Sequence, residues 1–346
     1  MSTGHDGTGV GRPGDGHDHG VHELDRLLSL QDGVLARRQA LEAGCTPADV
    51  RRRLRRREWV VVHPGVYVDH TGPLTWRQRA WAACLAHWPA VLAARSAIRA
   101  QEDRTGAADD GADIEILVAH ARRVVSLPGV RVRRARGFDA TARLDLHPPR
   151  QRYDDAVLAV ADRAPDELRA VAVLADACRS RRTSPSRLRA RAAQTARLAR
   201  RTWLTTLLDD LDEGACSVLE QAYLTRVERA HGLPRGQRQQ ADHDDAGRRV
   251  YRDVAYAGPG WRQLVELDGR LFHDSAHARD RDLERDLDAA LDGAATVRLG
   301  YAQVLGRPCV TAAKIGRLLR TRGWDGRPSA CPRCAATGSG ASAVPY

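Results

Sequence analysis

The chain contains a single lysine, Lys314, although lysine and arginine together make up 55 of its 346 residues. Arginine therefore carries the basic charge, and the formal net charge is +11 with a sequence pI of about 9.9. A basic surface favours an anionic partner. Arginine can also bind phosphate or a guanine edge through two parallel hydrogen bonds, which lysine cannot do. Part of the arginine and alanine excess is typical of a high-GC genome. Nucleic acid is the first partner that this composition predicts.

Long apolar runs and a paired set of cysteines are also lacking. No run approaches the roughly 20 residues of a membrane-spanning helix, and residues 1–20 lack the apolar stretch of a signal peptide. We therefore expect a cytoplasmic protein with no membrane partner. Seven scattered cysteines are not the pattern of a disulfide framework. Cys331 and Cys334 form half of a zinc knuckle with no second CxxC, which favours a thiol pair in a tail without a structural role.

The sequence of residues 22–75 predicts a compact helical unit with a β-hairpin. Helical leucine spacing starts the unit, and a second helix fits residues 34–43. A third helix is expected after Thr46, a good N-cap that precedes a proline. Two short runs rich in valine, 59–62 and 66–68, predict the hairpin. Helix, short turn, helix and hairpin are the pattern of a winged helix-turn-helix.

The third helix of this pattern carries a dense run of arginines. Such a run is ordinarily a solvated basic face. Here it lies where a recognition helix lies, and phosphate contacts supply most non-specific affinity for DNA. We therefore expect contact with DNA or RNA from six arginines: Arg51, Arg52, Arg53, Arg55, Arg56 and Arg57.

Residues 22–100 resemble the N-terminal region of AbiEi-type antitoxins of type IV toxin–antitoxin systems. The matching stretches are LLSLQDGVLARRQALEAGCTPADVRRRLRRREWVVVHPGVYV and RQRAWAACLAHWPAVLAARSAIRA, of which HPGVY is the most specific. The resemblance covers about a quarter of the chain. It implies a transcription-factor-like DNA-binding domain, with a cognate toxin as a possible partner.

A second constellation of residues lies near the C-terminal end. Two strand-like runs, 250–256 and 262–269, flank a turn and predict a β-hairpin. Because strand side chains alternate between faces, Glu266 and Asp268 share one face of the second strand. The turn places Asp253 opposite residues 264 to 266. Three carboxylates are therefore expected to converge at one end of the hairpin.

Carboxylates this close raise one another's pKa unless a cation neutralises them. Hard oxygen ligands suit Mg²⁺ or Mn²⁺ better than zinc, so we expect such a metal at Asp253, Glu266 and Asp268. Glu220, on the preceding helix, is a fourth acid that could reach the cluster, and His273 follows the strand as a candidate base. The alternative is that these acids are surface residues of an edge hairpin, offset by nearby arginines.

Residues 215–322 resemble the Vsr-like family of unknown function numbered 559, which is related to very-short-patch-repair endonucleases and the wider PD-(D/E)xK group. The matching stretches are SVLE, the glutamines near Gln239, YRDVAY, LVELDGRLFH, RDLERDLDAALDG and VRLGYAQVL. The resemblance implies an αβββαβ restriction-endonuclease-like domain with Asp253 and Glu266 as metal ligands. Glu220 would be the acid on the helix and His273 the base. Two arginines would support the site or contact phosphate: Arg285 and Arg298.

One position departs from the PD-(D/E)xK pattern. That pattern has a lysine two residues after the second acid, where this chain has Asp268. Either Asp268 and His273 perform a Vsr-like reaction in which the metal lowers the pKa of water, or the domain mainly binds. The sequence thus predicts a metal-dependent endonuclease that hydrolyses DNA phosphodiester bonds. The alternative is an antitoxin-like transcriptional regulator whose nuclease-fold domain is weak or inactive. A scaffolding role in phage defence is a third interpretation, which the sequence does not separate from the second.

Together these patterns predict an α/β (α+β) fold class and six segments. They are a disordered tail (1–21), a winged helix-turn-helix (22–75), a middle α/β region (76–178), a basic helical linker (179–204), an endonuclease-like domain (205–325) and a second tail (326–346).

Overall fold

The computed structural model describes residues 15–102, 111–213, 217–243, 249–269 and 296–336. Contacts divide the chain into two compact units, Met1–Ala156 and Val157–Tyr346. Both units contain helices and β-sheet, with two sheets in the first and one in the described part of the second, so the predicted α/β (α+β) class is confirmed. Within the described residues, no helix combines the length and the apolar character needed to cross a bilayer.

The first unit opens with three helices and a three-stranded antiparallel sheet. The strand order is β1-β3-β2. The three helices and the hairpin follow in the order predicted for a winged helix-turn-helix, with one strand, β1, that was not predicted. The elements are α1 (Asp15–Leu30), β1 (Val34–Ala36), α2 (Arg37–Glu42), α3 (Pro47–Arg55), β2 (Val60–His63) and β3 (Val66–Val68).

Two boundaries in this region differ from the prediction. Residues 34–36, predicted as the start of a helix, form β1, because pairing with β3 satisfies their backbone and buries all three side chains. Helix α1 starts at Asp15, whereas residues 1–21 were expected to be disordered. Extending a helix costs less than nucleating one, and acidic residues are favourable in a first turn. The rest of that predicted tail, residues 1–14, lies outside the described residues.

The start of α3 follows the sequence prediction closely. The backbone N–H of Asp49 donates to Thr46 Oγ1 at 3.1 Å, and the N–H of Thr46 donates to Asp49 Oδ2 at 3.0 Å. This reciprocal pair is a capping box. Behind α3, Trp59 stacks on Tyr67 with ring centroids 5.7 Å apart. Both rings are buried, and they fix the helix against the hairpin.

The remainder of the first unit is a five-stranded sheet with helices packed on it. The strand order is β6-β5-β4-β8-β7, and its core includes Trp76, Leu92 and Ile116. Strand β5 falls on residues 114–119, a run that the sequence predicts to be a strand. The elements are α4 (Trp76–Ala86), β4 (Val91–Leu92), α5 (Ala94–Gln101), β5 (Ile114–Ala119), β6 (Val130–Ala135), α6 (Phe138–Thr141), β7 (Ala142–Arg143) and β8 (Arg150–Gln151).

Helix α7 (Tyr153–Asp162) spans the boundary between the units, and three further helices follow: α8 (Glu167–Arg179), α9 (Pro185–Gln194) and α10 (Arg201–Glu213). The sequence predicts one helical stretch over residues 154–177. In the structure this stretch is interrupted at Pro165, and Asp166 caps a new helix. The predicted basic linker contains α9, which Ser184 caps.

The rest of the second unit is a helical stretch, a four-stranded sheet and two closing helices. Helix α11 (Ser217–Ala222) continues as a π turn (Tyr223–Glu228) and a 3₁₀ turn (Arg229–His231). The remaining elements are β9 (Gln237–His243), β10 (Arg249–Gly258), β11 (Trp261–Leu267), β12 (Thr296–Leu299), a second π turn (Ala302–Gly306), α12 (Pro308–Arg322) and α13 (Pro332–Ala336).

The sheet order is β12-β11-β10-β9, with β12 parallel to β11 and the other pairs antiparallel. The hairpin turn is shorter than predicted. Gly258 pairs with Trp261, which leaves Pro259 and Gly260 as a two-residue turn. Gly260 has φ +77°, the left-handed conformation that a Pro-Gly turn requires. The helix predicted over residues 275–292 lies outside the described residues.

The segment after Trp324, which the sequence predicts to be a tail, packs against the rest of the second unit. The backbone N–H of Ser329 donates to the carbonyl of His231 at 2.8 Å. Pro328 lies over Gly316 of α12 so closely that a Cβ built there would be 2.1 Å from the Pro328 Cγ atom. The absence of a side chain at Gly316 is what permits this approach.

Candidate carboxylate centre on the C-terminal sheet

The β10–β11 hairpin brings Asp253 to the second acid-bearing strand. Val254 pairs with Val265, so the position before Val254 faces the Glu266 region. The backbone N–H of Leu267 donates to Asp253 Oδ2 at 2.7 Å. This bond fixes the Asp253 carboxylate beside β11, as the predicted hairpin requires.

Gln239 joins the hairpin to the preceding helix. Its neighbours Arg238 and Gln240 pair with Val254 and Arg252, so Gln239 lies opposite Asp253. Its Nε2 atom donates to Glu220 Oε1 at 2.9 Å, and its side chain also hydrogen-bonds to Asp253. Gln239 has φ +48°, a left-handed conformation that is uncommon for a residue other than glycine and is found at functional sites. The side-chain amide of Gln239 thus contacts the carboxylates of both Glu220 and Asp253.

The charges of this cluster repel one another. Burial raises the pKa of Glu220, and the Asp253 carboxylate raises it further. Burial also raises the pKa of Asp253. The Leu267 N–H opposes that shift, and the Glu266 carboxylate adds to it. Asp253 is therefore within electrostatic reach of Glu220 on one side and of Glu266 on the other. The Gln239 amide and the Leu267 N–H relieve this repulsion only in part.

Four other residues are predicted for this site: Asp268, His273, Arg285 and Arg298. Arg298 pairs with Glu266 across the parallel strands, and its Nε atom is 3.7 Å from Glu266 Oε2. The Arg298 side chain is 61% exposed, so its remaining donors face solvent. Asp268 follows β11, and its backbone N–H donates to the carbonyl of Leu299 at 2.9 Å. His273 and Arg285 lie outside the described residues.

A buried hydrogen-bond network holds the strands of the centre to the helical stretch. Glu228 Oε2 accepts from Tyr256 at 3.0 Å, from Arg238 at 2.8 Å and from the backbone of Gly236 at 3.2 Å. The Tyr256 hydroxyl is also 2.9 Å from that of Tyr223. Because Arg238 directly precedes Gln239, this network positions the amide that bridges the two acids.

The six predicted DNA-contacting arginines differ in their surroundings. Arg53 is half-buried, and its guanidinium lies 5.0 Å from the centre of the Trp59 ring, so it supports the fold. Arg52 pairs with Asp49 at 3.0 Å, and Arg56 lies 3.7 Å from Glu58. Arg57 has φ +58° just after the end of α3. Three arginines are exposed and have no ion-pair partner among the described residues: Arg51, Arg55 and Arg57.

Sequence reasoning missed two features of the second unit. Gln239 was noticed only within a glutamine-rich stretch, because nothing in the sequence indicates its left-handed backbone. Cys331 and Cys334 lack a second CxxC, but the fold brings Cys309 and His231 to them. The burial of both tail cysteines, at 7% exposure each, contradicts a thiol pair without a structural role.

Comparison with known proteins adds little. No family model matches the chain, and no curated protein matches it. Among solved structures, the crystal structure of the RV2827C protein from Mycobacterium tuberculosis is similar at 19% identity and a TM-score of 0.33, over 54% of this chain and 76% of that one. A likeness this weak carries no argument about function.

Proposed function

We propose that the second unit is a metal-dependent endonuclease domain that hydrolyses DNA phosphodiester bonds. The observation that carries the proposal is the Gln239 amide, which bridges Glu220 and Asp253 while both carboxylates have raised pKa values. Burying like charges together is unfavourable unless a cation offsets them. Glu220, Asp253 and Glu266 are the residues that would hold Mg²⁺ or Mn²⁺.

When bound, such a metal polarises a phosphate oxygen and lowers the pKa of a bound water. The chain's own groups have separate tasks in this proposal. Gln239 orients the two carboxylates, and Arg298 binds a backbone phosphate beside Glu266. Asp268 occupies the position where related nucleases have lysine, so no cation from that position stabilises developing charge.

Cleavage of supercoiled plasmid with Mg²⁺ or Mn²⁺ tests this proposal. Loss of outer-shell partners typically costs about 10–100-fold in activity or metal affinity, and we expect Gln239→Ala to fall in that range. Asp253→Asn removes a ligand, so it should cost at least about 100-fold. The matched control is Asp212→Asn, an exposed acid on α10. Equal cleavage by the wild type and Asp253→Asn, or no cleavage and no Mn²⁺ binding by the wild type, contradicts the proposal.

A second candidate function is an antitoxin-like transcriptional regulator with a weak nuclease-fold domain. Two observations favour it: Asp268 replaces the expected lysine, and Arg51 and Arg55 are exposed on α3. The partner in this case is the DNA upstream of the protein's own gene, with a cognate toxin as a second partner.

Footprinting on that DNA distinguishes the two candidates. Replacing both Arg51 and Arg55 with alanine should abolish protection and flatten the salt dependence, since each phosphate contact contributes to that slope. Protection unchanged by the double substitution argues against a recognition role for α3. A wild type that protects this DNA but cleaves none supports the regulator.

A further inference from the structure

Four potential metal ligands from three separate segments meet in the second unit. His231 ends the 3₁₀ turn that follows α11, and Cys309 lies in the first turn of α12. Cys331 and Cys334 flank the start of α13. One ligand atom from each of the four residues lies within 4.8 Å of all the others. This cluster shares no residue with the carboxylate centre.

The spacing of these atoms matches a tetrahedron around one zinc ion. Zn–S bonds of about 2.3 Å and Zn–N bonds of about 2.0–2.1 Å give tetrahedral edges of about 3.8 Å between sulfurs and about 3.6 Å from sulfur to nitrogen. In the structure, the Cys309 and Cys331 sulfurs are 3.6 Å apart and those of Cys331 and Cys334 are 3.8 Å apart. The Cys334 sulfur is 3.6 Å from His231 Nε2. Cysteines joined as a disulfide would be about 2.05 Å apart.

The histidine is oriented as a ligand. His231 Nδ1 lies 3.1 Å from the carbonyl oxygen of Val227, an atom that can only accept a hydrogen bond. The proton is therefore on Nδ1, and the lone pair of Nε2 points toward Cys334. Metal-bound histidines almost always use their other nitrogen in this way. His231 is 3% exposed, so the ring is held in place by its surroundings.

The tail is folded around the cluster. Ser329 bonds to the backbone of His231, and Pro328 lies against Gly316. Cys331 and Cys334 are both buried, and the backbone N–H of Cys334 donates to the carbonyl of Cys331 at 2.9 Å. A segment this rich in glycine, proline and alanine has few large apolar side chains to bury. The free energy of metal binding would therefore supply much of what holds this segment against the rest of the unit.

We propose that His231, Cys309, Cys331 and Cys334 bind one Zn²⁺ ion in a closed structural site that fastens the C-terminal segment to α12 and to the helical stretch. Four protein ligands leave no position for a substrate, so the role of this metal is structural. Thiolate and imidazole select zinc, whereas the carboxylate centre selects harder cations. The zinc proposal therefore stands independently of the proposed nuclease activity.

Metal analysis of the full chain, purified under reducing conditions from zinc-supplemented cells, tests the site. We expect one zinc ion per chain in the wild type and a near-complete loss in Cys334→Ser. Cys178→Ser, a thiol of α8 outside the cluster, should keep its zinc. Asp253→Asn should keep it as well, which separates this test from that of the nuclease.

A second measurement on the wild type covers the case in which Cys334→Ser does not fold. Chelation should lower the melting temperature, and Zn²⁺ but not Mg²⁺ should restore it. Co²⁺ added to the reduced, metal-free chain should give the intense visible bands and thiolate charge-transfer absorption of a tetrahedral site. Wild-type chain without stoichiometric zinc and without these Co²⁺ bands overturns the proposal. Equal zinc loss in Cys178→Ser and Cys334→Ser also overturns it.

Discussion

Replacing Tyr256 with phenylalanine tests the network that holds β9 and β10 to the helical stretch. The Tyr256 hydroxyl donates to Glu228 Oε2 at 3.0 Å and lies 2.9 Å from the hydroxyl of Tyr223. All three residues are buried, with exposures of 1%, 3% and 0% for Tyr256, Glu228 and Tyr223. Phenylalanine keeps the ring and its packing, so the variant removes hydrogen bonds alone.

The size of the effect follows from the partners. A hydrogen bond to a charged group contributes about 1.5–3 kcal/mol, and a neutral one about 1 kcal/mol. Tyr256→Phe removes both kinds and leaves the Tyr223 hydroxyl without this partner, so we expect a loss of about 2.5–4 kcal/mol. Tyr223→Phe removes only the neutral bond and should cost about 1 kcal/mol. The double variant should lose less than the sum, because the two residues share one bond.

Urea unfolding of the full chain, followed by circular dichroism and tryptophan fluorescence, measures these losses. Tyr153→Phe is the matched control: its hydroxyl donates to Glu102 Oε1 at 2.7 Å, but in a less buried setting. That substitution should cost less than about 1 kcal/mol. A loss for Tyr256→Phe no larger than that for Tyr223→Phe refutes the reasoning, because the bond to Glu228 would then contribute nothing.

Three further predictions concern other parts of the chain. The pKa of Asp253 is raised in the folded chain. Above the ordinary pKa of aspartate the folded chain therefore binds more protons than the unfolded chain, and its stability falls as the pH rises. Asp253→Asn should flatten this fall in thermal melts across pH 4–8; an unchanged slope contradicts the prediction. Gly316→Ala should lose about 1–3 kcal/mol in urea, since its Cβ meets Pro328; a neutral result means that the segment does not pack there. Thr46→Ala breaks the capping box and should cost about 1 kcal/mol, with Thr46→Ser as the control that retains it.

The regular parts of the fold were predictable because their signals are local. The strand-like apolar run of residues 114–119 predicts β5, and Thr46 with Asp49 predicts the start of α3. The hairpin carrying Asp253 and Glu266 also follows from alternation around a turn. Local signals fail at residues 34–36, where a tertiary strand partner overrides a helical pattern.

The parts that could not be predicted depend on contacts between distant positions or on irregular backbone. His231 reaches the CPRC pair only through the packing of the C-terminal segment, so an unpaired CxxC was all that the sequence offered. Gln239 lies opposite Asp253 in the strand register, but no residue pattern encodes its left-handed backbone. Both features concern the placement of a side chain, which spacing along one element does not determine.

One short helical stretch contributes residues to both candidate sites of the second unit, the carboxylate centre and the cysteine cluster. Glu220 lies in α11 and bonds to Gln239, Glu228 lies in the π turn and holds the strands, and His231 ends the 3₁₀ turn at the cysteine cluster. π turns occur frequently at functional sites because they change the direction in which successive side chains point. The stretch therefore carries one residue of the carboxylate centre and one of the cysteine cluster. Substitutions outside it, at Asp253 for the carboxylate centre and at Cys334 for the cysteine cluster, test the two roles separately.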